Sequence, residues 1–152
     1  MYVRVTGAEP ELAEKLEEAA EFYAGLLMHG NLCNNLAVDI NIDPSLDTQA
    51  YCTHDDGLRF FTVDIRGGIG DDDVFKSLAH EMVHVKQYAT KELSDTVVVH
   101  RGRVIDTAKW KGVEYKFKAK EDPYWDAPWE LEAFGREVGL YRRWLVHNET
   151  TA

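Results

Sequence analysis

His80-Glu81-Met82-Val83-His84 is the stretch of this chain with the most chemistry in it, an H-E-x-x-H sequence. On a helix, residues four apart lie on one face, one turn above the other. Both imidazoles can then reach a single metal ion. Glu81 lies about 100° further round the helix, close to a water on that ion. Zinc suits such a site, because it takes imidazole nitrogen readily and works with three protein ligands and an open water position. Zinc lowers the pKa of that water, and a neighbouring carboxylate takes the proton as general base. The spacing therefore predicts zinc-assisted hydrolysis, with His80 and His84 as ligands and Glu81 as base.

The flanking residues put this motif on a helix. Asp71, Asp72 and Asp73 supply capping and dipole-matching carboxylates, and the helix is expected to run to about Thr90. Val74, Phe75, Leu78, Met82, Val85 and Ala89 form an apolar stripe roughly opposite the two histidines. His80 and His84 share their side with Ser77, Gln87 and Lys91, a polar face. The competing reading is a pair of solvated histidines.

Two histidines need a third ligand. The segment from Asp126 to Phe134 opens a second helix, expected to reach about Val146, with Asp126 as N-cap and Pro128 in the first turn. On a helical wheel Glu130 falls among Phe134, Val138, Tyr141, Trp144 and Leu145. Glu132 falls among Gly135, Arg136, Gly139 and Arg143. Glu130 is thus expected to face the core and Glu132 to face water. A carboxylate turned toward a core needs a cation or a metal. The alternative is a glutamate favoured in a first turn by the helix dipole.

Together the two segments resemble the gluzincin metallopeptidases. In these, one helix carries H-E-x-x-H and a later helix carries a Glu ligand, often as E-x-x-A. Glu130-Leu131-Glu132-Ala133 matches that second element. The likeness is above all to small single-domain gluzincin-like proteins of bacteria and phages, over roughly residues 60 to 146. It implies a zincin-like fold and a Zn2+ ion held by His80, His84 and Glu130. It further implies Glu81 as general base and a peptide or protein substrate. The strand before the metal helix, Leu58 to Ile65, would be an edge strand that adds extended peptide to its sheet. An ordinary paired strand is the alternative. The chain departs from the pattern at Phe134, where many members carry an acid that hydrogen-bonds the first histidine. Gln87, Glu137 and Asp126 are the candidates for that outer partner.

At 152 residues the chain is expected to form one domain, residues 1–152, with enough length to bury a core. A hydrophobic share of 45% and a charged share of 29% suit a soluble globular protein. The net charge of −10 argues against general nucleic-acid binding, which needs a basic footprint. Lys109, Lys111, Lys116, Lys118 and Lys120 form a local basic strip that reads as protection of a hairpin edge. Cys33 and Cys52 have no metal-type spacing, and a disulfide between them stays open. Met1 to Val5 reads as a strand or arm rather than an export signal, and no stretch is long enough to span a membrane. A cytoplasmic protein with free thiols is the resulting expectation, in the host cytoplasm if a phage encodes it.

The elements that position the site follow from patterning. Pro10 to Met28 is an amphipathic helix, ended by Gly30 and the asparagines at 31, 34 and 35. Leu36 to Ile42, Ala50 to His54 and Leu58 to Ile65 read as strands, the last two joined by a turn at Asp55-Asp56-Gly57. After the metal helix, one hairpin is expected to turn at Arg101-Gly102 and another at Lys111-Gly112, together able to cover the cleft. The sum is an α+β fold: an antiparallel sheet packed with the N-terminal helix, the metal helix and the C-terminal glutamate helix. Tyr124, Tyr141, His100 and Tyr115 are candidate donors to a developing oxyanion by residue type. The main functional reading is a zinc metallopeptidase. The alternative is a non-catalytic, zinc-stabilised module that binds peptide or acts in regulation.

Overall fold

The computed structural model describes residues 1–100, 103–116 and 126–151. The chain runs β1 (Tyr2–Thr6), α1 (Pro10–Leu27), α2 (Gly30–Cys33), β2 (Ala37–Asp43), β3 (Ala50–His54) and β4 (Phe60–Arg66). It continues through α3 (Asp71–Ala89), β5 (Leu93–His100), β6 (Arg103–Trp110), β7 (Val113–Lys116) and α4 (Pro128–Thr151). The class is α+β.

The larger sheet has the order β1-β2-β4-β3. It is mixed, which corrects the antiparallel expectation. β1, β2 and β4 run parallel, and only β3 is antiparallel to its neighbour β4. The parallel start has a simple cause: α1 carries the chain back along the sheet between β1 and β2, as parallel pairing requires. Strand alternation sets the faces. Val38, Ile40 and Ile42 of β2 and Phe61, Val63 and Ile65 of β4 are buried, while Asp39, Asn41 and Asp64 lie on the other face, where Asn41 donates to Asp64. Gly7 ends β1 at φ +83°, and a Cβ there would lie 2.1 Å from the Ile42 carbonyl oxygen. Only glycine lets the chain leave the sheet at that point.

Of the two readings of the strand before the metal helix, the ordinary paired strand holds. β4 lies inside the sheet, because β3 folds back on its free side through the turn at Asp55. Asp55 holds that turn by accepting hydrogen bonds from the backbone N–H of Arg59 at 3.0 Å and Phe60 at 3.1 Å. The edge beside α3 is therefore β3.

One core joins α1, α3 and α4 to the inward residues of β2 and β4. The second sheet, β5-β6-β7, is an antiparallel meander with its own small cluster of Leu93, Ala108 and Trp129. Where two separate hairpins were expected, β6 is one continuous strand shared by both. The turn after β6 is Lys111-Gly112, with φ of 48° and 84°, as a tight hairpin demands. Arg101 and Gly102, the other expected turn, lie outside the described residues, as do Lys118 and Lys120. A polar contact ties the meander to the edge strand: Tyr88 Oη donates to Asp95 at 3.0 Å, and His54 Nε2 lies 3.5 Å from the same carboxylate. Cys33 and Cys52 are free thiols. Among the described residues no helix is long and apolar enough to cross a membrane.

Candidate metal centre

α3 begins after Gly70 and carries Asp71, Asp72 and Asp73 in its first turn, where they suit the helix dipole. None of them occupies the capping position, which Gly70 takes without a side-chain hydrogen bond. The polar face of α3 is closed. His80 is 8% exposed and His84 7%, and Ser77 and Gln87 are buried with them. α3 is covered on its apolar side by the sheet and α1, and on its polar side by α4. The reading of two solvated histidines therefore fails.

His80, His84 and Glu130 come together, with one ligand atom from each lying within 4.8 Å of the others. Glu130 is only 1% exposed. Its Oε2 is 3.2 Å from His80 Nε2, and its Oε1 is 2.9 Å from His84 Nε2. The far side of each ring is fixed by another partner. His80 Nδ1 is 2.8 Å from Glu137 Oε2, and His84 Nδ1 is 2.8 Å from Gln87 Oε1. Gln87 Nε2 donates to the Trp129 carbonyl and to Glu132 Oε1, both at 2.9 Å, so its oxygen must face His84. Glu137 and Gln87 Oε1 can only accept, so both histidines carry a proton on Nδ1.

That assignment supplies the test of fit. In the neutral rings each Nε2 presents a lone pair, and each lone pair points at a carboxylate oxygen of Glu130. Such an arrangement requires protons or a cation between the partners. Two imidazole nitrogens and a carboxylate, with outer partners on both rings, form a donor set that fits Zn2+. The same groups bias the charge. Burial disfavours the imidazolium of His80, but the hydrogen bonds to Glu130 and Glu137 outweigh it and push its pKa up to about 9. His84 is raised likewise, with Glu130 again overcoming burial. Glu81 sits beside them, 4% exposed, and its Oε2 is buried without a hydrogen-bond partner among the described residues. Burial raises its pKa above the usual carboxylate range.

Several expectations for α4 change. Phe134 and Val138, read as core, are 49% and 50% exposed. The buried face of α4 is centred toward Ala133, Leu140 and Trp144, so these two rotate outward. Glu132 is not simply solvated. It accepts from Lys86 Nζ at 3.2 Å and from Gln87, and pairs with Arg136 at 3.4 Å, binding α4 to α3. Against the opposing effect of burial, Gln87 and Lys86 hold its pKa below the usual range. Asp126 is exposed, and the carbonyl of Ala127 accepts the first helical hydrogen bonds, from Glu130 and Leu131. Of the three candidates for outer partner, Glu137 serves His80 and Gln87 serves His84.

A cleft of about 440 Å³ opens beside the centre. Its floor is α3, through Lys76, Ser77, His80 and Glu81; residues 48–51 at the start of β3 form one side, and Phe134 and Glu137 of α4 the other. Gln49 Nε2 donates to Ser77 Oγ at 2.9 Å and ties the edge strand to the floor. No sequence signal marked residues 48–51, because their role depends on which strand takes the edge. Of the proposed oxyanion donors, Tyr141 donates to Asp72 and borders a different cavity. Tyr115 packs edge-on against Trp129, its ring centre 5.6 Å away. Tyr124 and the His100 side chain lie outside what is described. Comparison with protein-family models, curated proteins and solved structures gives no match, so function rests on this geometry alone.

Proposed function

We propose that the chain is a zinc-dependent metallopeptidase of zincin-like architecture. The observation that carries this reading is the convergence of two imidazole Nε2 atoms on one buried carboxylate, next to a Glu81 oxygen that has no hydrogen-bond partner among the described residues. His80 and His84, through Nε2, and Glu130, through its carboxylate, would hold the ion. Bound zinc supplies Lewis acidity and a water of lowered pKa. Glu81, desolvated and raised in pKa, accepts a proton from the attacking water and returns it to the leaving amine nitrogen. Glu137 and Gln87 keep the rings in the tautomer that leaves Nε2 free for metal. The cleft along β3 gives an extended chain access to the centre.

A first histidine left without an acid partner, as Phe134 in the family's acid position implies, would favour a non-catalytic zinc module. Glu137, three residues further on, bonds His80 in its place and removes that argument. The test is metal analysis followed by digestion of a peptide library, with Glu81→Gln alongside. One zinc per chain and cleavage that falls about 10²–10⁴-fold in the zinc-retaining Glu81→Gln are expected. Wild type that binds zinc and cleaves nothing would leave the binding-module reading. Undiminished cleavage by Glu81→Gln would remove Glu81 as base.

A further inference from the structure

Phe134 has two surroundings at once. Its ring stands edge-on to the His80 ring at 4.5 Å, and it lines the cleft while remaining 49% exposed. Leu131 and Val138 are 59% and 50% exposed, three residues before and four after, on the same face of α4. The three make an apolar ridge on α4, of which Phe134 lines the cleft and Leu131 and Val138 continue the exposed face on either side of it. A patch of this kind beside a concave site marks a surface that another molecule covers.

The charges around the cleft decide what that molecule presents. Asp73 and Glu137 also line it, and aromatic rings beside carboxylates suit a cationic side chain. Glu137 is engaged with His80 at 2.8 Å and Asp73 with Lys76 at 3.7 Å, however, and the third carboxylate of the lining, Glu81, is only 4% exposed in the floor and is assigned to the water as base. The ammonium of Lys76, in the same cleft, repels a further cation. What remains open are two aromatic rings, Phe134 on the α4 side and the 42%-exposed Tyr51 on the β3 side, with Ala50 and Ser77 too small to fill the space.

We infer that the Leu131–Phe134–Val138 ridge is the selectivity surface of the cleft, and that it takes a large apolar side chain of the substrate next to the bond being cut. Phe134 forms the contact nearest the centre. Leu131 and Val138 extend it to neighbouring apolar residues of the same polypeptide. The inference rests on the peptidase reading for the position of the bond, but the surface can be tested by binding as well.

The experiment compares zinc-loaded wild type, Phe134→Ala, Val138→Ser and, as a control on the exposed outer side of α4, Arg143→Ala. Peptides differ only at one position flanking the cleavage site: Phe, Leu, Ala or Arg. Wild type should favour Phe and Leu over Ala by about tenfold or more in kcat/KM, the scale of losing methylenes from an apolar pocket. Phe134→Ala should erase most of that ratio, Val138→Ser should reduce it, and Arg143→Ala should keep it. All should hold one zinc per chain. No preference, a preference for Arg, equal loss on every peptide, or zinc loss in Phe134→Ala would overturn the inference. If wild type cleaves nothing, binding of the same labelled peptides is read by fluorescence anisotropy. A Phe and Leu preference lost in Phe134→Ala then upholds the ridge while the peptidase reading falls, and equal binding overturns both. A dimer seen by light scattering and dissociated by Val138→Ser would show that a second copy covers the ridge, and would also overturn it.

Discussion

Without metal, the protein holds His80 at a pKa of about 9, against 6.5 for an ordinary histidine. At pH 7 roughly 99% of that ring therefore carries a proton on Nε2, which a metal must displace. Two pKa units correspond to about 2.7 kcal/mol, or a hundredfold loss of apparent affinity at pH 7 relative to the deprotonated site. His84 is raised as well and adds to the competition. Apparent zinc affinity should climb about tenfold per pH unit between pH 7 and 9 from His80, and more steeply where His84 also titrates. Competition against a chromophoric chelator gives the slope. Calorimetry in two buffers of different ionisation enthalpy gives the proton count, expected to be at least about one at pH 7. The fold shows the opposite sign. A pKa raised on folding contributes stability that is complete below about pH 6.5 and disappears as pH rises through about 9. The metal-free melting temperature should thus fall over that window. Glu137→Gln keeps an acceptor for Nδ1 but removes its charge, so it should lower the His80 pKa and flatten the zinc slope. A zinc affinity constant from pH 7 to 8, or a slope unchanged in Glu137→Gln, would refute the coupling of His80 to Glu130 and Glu137.

Other substitutions separate the ligands from their supports. Glu130→Ala should abolish stoichiometric zinc, whereas Glu132→Ala should retain zinc and cost about 1–3 kcal/mol by breaking the contacts to Lys86, Gln87 and Arg136; denaturant melts and metal analysis distinguish them. Chelation should lower the melting temperature by several degrees, because an ion present at a thousandfold excess over its Kd adds roughly 4 kcal/mol to the folded state. An unchanged melting curve in protein shown to lose its zinc would contradict that. Gly7→Ala should destabilise by at least about 1–3 kcal/mol, since the new Cβ meets the Ile42 carbonyl and the backbone has positive φ; a wild-type urea midpoint would remove the close approach at Gly7.

Local features of the fold were legible in the residues themselves. Helical spacing depends only on backbone geometry, so the common side of His80 and His84 could be read directly, as could the helix over Pro10–Leu27 and the alternation of β2 and β4. The turn glycine at 112 and Asp55 at the head of β4 were equally local. The α+β class followed from the succession of these elements. Tertiary packing decided the rest. Strand order is a long-range choice, so β3 rather than β4 became the edge, and the sheet became mixed. A wheel shows which residues share a face of α4 but not how the helix rolls against α3, so Phe134 and Val138 turned outward and Glu132 became an interhelical tie. The same roll brought Glu137 to His80, a pairing across 57 positions that no local pattern encodes. The chain itself specified the chemistry available on each helix. Only packing could set two imidazole nitrogens against one carboxylate, because that contact is the sum of two helix rotations and one crossing.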